Sequence, residues 1–158
     1  MKKKIPIFCV VLTIILAIIY NNSSSTNLTA CEEVQAALED AGYQVTVTSE
    51  DTPLLQGEPY QMQLNGTEQF ALVYVYDSAQ SAAQDAATID EDGCGINRVG
   101  PYDTVESICI SWVDAPHFFL YENIIVQYIG KDWDVLVTLR DVCGDQIAGL
   151  PFVYEGLV

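Results

Sequence analysis

Two segments decide the fold: YQMQLNGTEQFALVYVY at residues 60–76 and HFFLYENIIVQYI at residues 117–129. In each, two runs of aromatic and β-branched residues flank a short polar turn, Asn65-Gly66 in the first and Glu122-Asn123 in the second. Such runs favour strands, and an Asn-Gly pair tolerates the positive φ angles of a tight turn. We therefore predict two antiparallel hairpins.

A helix is predicted directly after each hairpin. Ser78 can cap the first helix, which we expect to extend to about Ile89, and Asp132 can cap the second, which Gly144 ends. Two ββα-like units preceded by an N-terminal helix and a strand predict an α+β fold. We expect a mostly antiparallel sheet with the helices packed on one face.

The remaining segments carry weaker signals. Helical spacing of apolar residues predicts the N-terminal helix at residues 32–41, and alternation predicts the strand at 43–48. The glycines of residues 90–104 predict a long loop. We expect a strand at 108–113 and an edge strand in the apolar tail at 150–158.

The charge balance excludes two classes of partner. The chain has 22 acidic and 6 basic residues among 158, with a net charge of −16. So few cations cannot follow a phosphate backbone, which excludes nucleic acid, and they cannot dock the chain on anionic lipid. Half of the residues are apolar, which is ample for a core and excludes intrinsic disorder.

The first residues have the pattern of an export signal. Lys2, Lys3 and Lys4 precede the apolar run Ile5–Tyr20, and a polar stretch follows. The length of this run fits both a cleaved signal peptide and a retained membrane anchor. We assign residues 1–25 to this leader with its polar linker and residues 26–158 to a single extracytoplasmic domain. We expect it at the cell surface or outside the cell, and we favour cleavage.

Lipidation is an alternative means of attachment. Leu28-Thr29-Ala30-Cys31 resembles the residues that precede a lipidated cysteine, although polar residues separate it from the apolar run. Thr29 and Glu32 also form a capping box that opens a helix, and we favour this interpretation. The membrane is therefore expected as a partner only through Ile5–Tyr20, if they are retained, or through a lipid on Cys31.

Four cysteines lie outside the leader: Cys31, Cys94, Cys109 and Cys143. An even number in an exported domain predicts two disulfides, and four cysteines allow three connectivities. We favour Cys94–Cys109 as a local clip and Cys31–Cys143 as a tie between terminal helices. The cysteine spacings and the single histidine do not fit a zinc site, so we predict no metal.

Five segments together resemble a known family. They are Leu64-Asn65-Gly66, Val73-Tyr74-Val75-Tyr76-Asp77-Ser78-Ala79, Ile110-Ser111-Trp112-Val113 with Pro116-His117-Phe118-Phe119, Ile124-Ile125-Val126-Gln127-Tyr128-Ile129-Gly130, and Gly144-Asp145-Gln146-Ile147-Ala148-Gly149. In this order they are similar to small uncharacterised bacterial secreted proteins and lipoproteins. The resemblance implies export, surface attachment and a compact domain. The four cysteines and the loop between Gly95 and Ser107 depart from that pattern.

Two features could carry chemistry. Histidine is the residue type suited to acid–base chemistry near neutral pH, and His117, the one histidine of the sequence, lies close in sequence to Ser111 and Asp114. No nucleophile motif such as G-x-S-x-G is present. We interpret it as a structural histidine, predict no catalytic residue and no cofactor, and expect His117→Ala to leave stability and any binding nearly unchanged. The acidic run Asp90–Asp92 fails the EF-hand spacing, which leaves an irregular oxygen-rich site as the alternative to a solvated loop.

The aromatic residues around the second hairpin suggest a binding surface. Alternation sends Phe118 to one face of the sheet and His117 and Phe119 to the other. We expect most of these rings in the core and the turn at Pro116 exposed. The candidate binding residues are Trp112, Pro116, His117 and Phe118.

The function predicted from these features is that of a non-catalytic extracytoplasmic domain. We expect it to bind a protein or a small ligand at the cell surface through its sheet. The alternative is a secreted inhibitor of an exported enzyme that presents the Ala115-Pro116 turn or the loop from Gly93 to Tyr102. A rigid loop of this kind would suit insertion into a cleft. A His117-dependent enzyme is the third hypothesis.

Overall fold

The computed structural model describes residues 29–100 and 104–151. Its elements are α1 (residues 29–40), β1 (Val45–Ser49), β2 (Glu58–Leu64), β3 (Phe70–Val75), α2 (Ala79–Ala86), β4 (Gly95–Val99), β5 (Val105–Cys109), β6 (Pro116–Tyr121), β7 (Ile124–Ile129), α3 (Trp133–Cys143) and β8 (Ala148–Gly149). The predicted leader and residues 152–158 lie outside the described residues. Among the described helices, none combines the length and the apolar character that crossing a membrane requires.

Six strands form one antiparallel sheet in the order β1-β2-β3-β7-β6-β8, and β4 pairs with β5 in a second sheet. The units β2-β3-α2 and β6-β7-α3 are the two predicted ββα units, and α1 precedes them. The α+β class is therefore confirmed. The two units meet where β3 pairs with β7 at the centre of the sheet.

Local turn and cap signals explain where the elements begin and end. Asn65 and Gly66 have φ angles of 54° and 63°, the left-handed region that the first hairpin turn requires. The Ser78 hydroxyl accepts from the Ser81 amide, and the Asp132 carboxylate accepts from the first amides of α3. These contacts satisfy N–H groups that have no partner within the helix.

The helices lie on both faces of the sheet, so the prediction that they share one face is wrong for α2. The first core cluster joins α1 and α3 to one face through residues such as Val34, Leu136 and Val73. The second joins α2 to the opposite face, where Ala82 packs in the same cluster as Tyr74. The cause is the composition of β3 and β7. Both strands carry apolar side chains on each face and need a covering layer on each side.

The predicted loop at residues 90–104 contains β4, and the strand predicted at 108–113 is β5, shifted toward the N-terminus. The β4–β5 hairpin is in register from Gly95↔Cys109 to Val99↔Val105. Ile96 is fully buried in the second core cluster, and this anchors the hairpin above α2 and the sheet. The apolar residues of β4 are only Ile96 and Val99, and this pattern is too weak to outweigh the glycines around it.

Candidate functional site

The four predicted binding residues are drawn into the protein. Phe118 is fully buried, and its ring lies 6.3 Å from that of Trp112 in an edge-on contact. Trp112 is half-buried, and its indole N–H donates to the Gly93 carbonyl at 2.8 Å. Pro116 is buried in β6. The structure therefore brings Trp112 and Phe118 together, but beneath the surface.

The predicted exposure of the Pro116 turn is wrong because β8 covers it. The Leu150 amide donates to the Pro116 carbonyl at 3.0 Å, and Gly149 pairs with His117. A two-residue strand carries almost no pattern in a sequence, so this covering could not be predicted. Neither the Pro116 turn nor the sheet face beneath it is available to a large ligand.

His117 connects β6 to the segment that leads into β8. Its side chain is 1% exposed, and its Nδ1 lies 2.9 Å from the Gln146 Oε1. The Gln146 amide nitrogen donates to the carbonyls of Gly149 and Leu150, so Oε1 is the acceptor and His117 Nδ1 carries the proton. The ring also stacks on Tyr128 at 6.4 Å. These contacts make His117 a structural residue.

The burial of His117 overturns the expectation that His117→Ala is neutral for stability. The substitution removes a buried ring and leaves the Gln146 Oε1 without this donor. We expect the free energy of unfolding to fall by about 2 to 3 kcal/mol, because both a cavity and a lost buried hydrogen bond contribute. Urea unfolding of the two proteins measures the difference. A change below about 0.5 kcal/mol would contradict the packing described here.

All four cysteines in the described ranges are free thiols, so neither predicted disulfide is present in the structure. The Cys94–Cys109 clip is wrong for a geometric reason. Cys109 pairs with Gly95, and the Ile110 amide donates to the Cys94 carbonyl. Paired residues share a face and successive residues alternate, so the two thiols start on opposite faces. Cys31 and Cys143 pack in one core cluster, and their pairing stays a prediction.

Thiol labelling distinguishes buried thiols from exposed thiols and free thiols from a disulfide. Burial, followed by the charge of Glu32, raises the pKa of Cys31 to about 11, and burial raises that of Cys143 to about 12. Only the thiolate reacts, and a buried thiol is also hard for a reagent to reach, so at pH 8 we expect exposed Cys109 to be alkylated faster than either. Peptide mass mapping locates the label. Equal rates would contradict the burial, and labelling only after reduction would show a bridge.

The acidic run Asp90–Asp92 is exposed to solvent, and two of its carboxylates hydrogen-bond to nearby residues. The Asp90 carboxylate accepts from the Asn97 amide, and the Asp92 Oδ1 accepts from the Cys94 amide at 2.9 Å. These bonds form the turn that leads into β4. Across the described ranges, no group of three or more His, Cys, Asp or Glu side chains is placed to hold a metal ion.

Asp85 is a buried carboxylate that the sequence analysis missed. It is 5% exposed, and its Oδ2 accepts from the Tyr76 hydroxyl at 2.7 Å and from the Gln56 amide at 2.6 Å. Burial, followed by the bond to Asp85, raises the pKa of Tyr76. These contacts fasten the loop before β2 onto α2. Helical spacing could have predicted its burial, because Asp85 lies on the same face of α2 as Ala82 and Ala86.

After Val113, the two most exposed large apolar side chains of the described residues lie on the β4–β5 hairpin. Val99 and Val105 stand opposite each other at its end and are 77% and 70% exposed. All five residues of β5 are exposed. We call the side of the hairpin that carries Asn97, Val99, Val105, Ser107 and Cys109 the outer face. Asn97 and Val99 of this face lie within the loop from Gly93 to Tyr102 that was predicted to contact a partner, whereas its β5 residues lie beyond that loop.

Contacts along β4 hold the hairpin in place. The Arg98 guanidinium donates to the Leu54 carbonyl, and Ile96 is fully buried. On the outer face, the Ser107 hydroxyl donates to the Asn97 Oδ1 at 2.5 Å, and Asn97 in turn donates to Asp90. A surface fixed in this way loses little conformational entropy when it binds.

No protein-family model, curated protein or solved structure matches the chain. The resemblance to small secreted proteins and lipoproteins therefore rests on the five sequence segments alone.

Proposed function

We propose that this chain is an exported, non-catalytic domain that binds a protein partner through the outer face of the β4–β5 hairpin. The observation that carries the proposal is the exposed pair Val99 and Val105 at the end of a hairpin whose base is buried. Exposed apolar residues that lie together on a fixed element are typical of protein-binding sites.

This proposal moves the binding surface from the sheet to the hairpin. Helices α1 and α3 cover one face of the central strands, and α2 with the β4–β5 hairpin covers the other. A ligand would have to displace these layers to reach the aromatic residues of β6 and β7. The hairpin requires no such displacement.

Two further observations support the export and non-catalytic parts of the proposal. Lys2–Lys4 followed by the apolar run Ile5–Tyr20 is the pattern of an export signal. His117, the candidate for neutral-pH acid–base chemistry, is buried against Gln146 and Tyr128. A general base needs access to the proton that it abstracts.

An inhibitor of an exported enzyme is a second candidate function. The observation that favours it is the bracing of the hairpin by Arg98 and Asn97, because a fixed strand pair is suited to filling a cleft. In this case the partner is an enzyme, and its activity falls when the hairpin is bound.

The test compares two matched substitutions, Val105→Asp and Val113→Asp. Both valines are strongly exposed, but Val113 lies in the segment between β5 and β6. Each substitution adds one negative charge, and we expect each to change the free energy of unfolding by less than about 0.5 kcal/mol. The tagged full chain is recovered from the producing cells and their medium, and the proteins bound to it are quantified by mass spectrometry.

We expect Val105→Asp to lower capture of the bound protein at least about tenfold and Val113→Asp to leave it unchanged, since a buried charge at an apolar contact is costly. Equal capture by both variants would contradict the proposal. If the captured protein is an enzyme, inhibition of its activity by the original chain but not by Val105→Asp identifies the inhibitor.

A further inference from the structure

One edge of the six-stranded sheet is an open strand without charge. β1 has the sequence VTVTS, pairs with β2 on one side, and is exposed at four of its five residues. Within the described ranges no other strand pairs with its outer side. An unpaired edge presents a row of N–H and C=O groups that can pair with another extended segment.

The hydrogen-bond pattern shows which groups face outward. The Asn65 amide donates to the Gln44 carbonyl, and the Glu50 amide donates to the Pro59 carbonyl. In the antiparallel register, the even-numbered residues of β1 therefore bond to β2. The N–H and C=O groups of Val45, Val47 and Ser49 consequently point away from the sheet.

The other edges carry the protective features that β1 lacks. The opposite edge of the same sheet is β8, which has two residues. The outer edge of the second sheet is β5, which carries the charged residue Glu106. Short edge strands and edge charges discourage further pairing. β1 is longer than β8 and has neither a charge nor a proline.

The charges around β1 indicate what it would accept. Residues 39–68 contain six acidic residues and no lysine or arginine. The three lysine and arginine residues of the described ranges lie beyond this stretch, and each already contacts an oxygen atom. Arg98 donates to the Leu54 carbonyl, Lys131 forms an ion pair with Asp114, and Arg140 forms one with Asp141. A second copy of the chain would bring the same negative charge, whereas a basic segment would be attracted.

We propose that β1 accepts an extended, basic peptide segment of a partner protein as an additional strand. The backbone groups of Val45, Val47 and Ser49 provide the hydrogen bonds, and lysine or arginine at the ends of the segment faces the acids that flank β1. This is strand addition at a sheet edge. The proposal does not depend on the partner surface of the β4–β5 hairpin.

The test uses three synthetic peptides and the ¹⁵N-labelled full chain in detergent solution. The first peptide is KVTVTVK, the second is EVTVTVE, and the third is KVTVTVK with N-methyl groups on alternate residues, which removes one row of hydrogen-bond donors. Titration gives the affinities, and hydrogen exchange followed by NMR gives the protection of each amide.

We expect KVTVTVK to slow exchange at Val45, Val47 and Ser49, while the amides of Thr46 and Thr48 are protected already without the peptide. The other two peptides should bind at least about tenfold more weakly, since one lacks the charge and the other the donors. The proposal would be overturned by equal binding of all three peptides or by no binding of KVTVTVK. It would also be overturned if a second copy of the chain displaced KVTVTVK from β1.

A matched pair of variants tests the same edge on the protein. Val47→Pro removes an outward N–H and leaves the bonds of Thr46 and Thr48 to β2 in place, whereas Val47→Thr keeps the N–H. We expect binding of KVTVTVK to fall at least about tenfold in the first variant and to persist in the second. Unchanged binding to folded Val47→Pro would overturn the proposal. If Val47→Pro does not fold, the N-methylated peptide still decides.

Discussion

Replacing Gly149 by alanine is expected to lower the free energy of unfolding by more than about 3 kcal/mol. A Cβ at this position would lie 2.1 Å from the Pro116 carbonyl oxygen and 2.9 Å from the His117 Cα. These are backbone atoms of β6, which is paired on both sides, and they cannot move aside as a flexible side chain could. The φ angle of Gly149 is also +114°, which an alanine adopts only with strain.

Gly144→Ala is the matched control for this prediction. Gly144 has a φ of +85° and nothing within 4 Å of the added Cβ, so it isolates the conformational strain. We expect it to cost about 1 kcal/mol. Urea unfolding measures both variants. Similar values for the two would mean that β8 does not hold Gly149 against β6, and the burial of Pro116 and His117 would then lose its explanation.

Replacing Asp132 by alanine is expected to cost about 2 to 3 kcal/mol. Its carboxylate caps α3 by accepting from the Asp134 and Val135 amides at 3.0 and 3.3 Å. It also accepts from the Tyr43 hydroxyl at 3.0 Å and from the Gln69 amide at 3.3 Å. The substitution therefore removes a helix cap and two hydrogen bonds to distant segments. The losses from the cap and from the two hydrogen bonds together give the expected value of about 2 to 3 kcal/mol.

Asp134→Ala is the control, because Asp134 is exposed in the first turn of α3 and is not the cap. It should cost less than about 1 kcal/mol, the usual effect of an acid near a helix N-terminus. Chemical unfolding at pH 7 compares the two variants. Equal losses would contradict the role assigned to Asp132.

The Asp132 carboxylate also makes the free energy of unfolding depend on pH. Burial alone would raise the pKa of Asp132, but the hydrogen bonds from Gln69, Tyr43 and the helix amides outweigh it and lower the pKa below its usual value. Its contribution is therefore complete above the unfolded pKa of about 3.9 and is lost as the pH falls through the lower folded value. The stability difference between the original chain and Asp132→Ala should shrink below about pH 4. A difference that is constant down to pH 2 would contradict this.

The two ββα units could be predicted because their signals are local. The turn at Asn65-Gly66, the caps Ser78 and Asp132, and the end of α3 at Gly144 each depend on a few neighbouring residues. The alternation of β6 also assigned Phe118 and Phe119 correctly to opposite faces, where they join different core clusters. The α+β class follows from the order of these elements.

The errors arose where distant segments decide the outcome. The two-residue strand β8 buries Pro116 and His117, and no sequence signal near these two residues predicts this pairing. The register of β4 with β5 separates Cys94 from Cys109, and this register depends on the burial of Ile96 above the sheet. The prediction that all helices share one face of the sheet was wrong because β3 is apolar on both sides and therefore needs a covering layer on each.

The most direct test of the hairpin as the partner-binding surface is photo-crosslinking in the producing cells. The crosslinking amino acid p-benzoylphenylalanine is placed at position 99, at the end of the hairpin, or at exposed position 36 on α1. We expect a covalent adduct with one protein from position 99, its loss when Val105→Asp is added, and none from position 36. An adduct from position 36 and none from position 99 would contradict it.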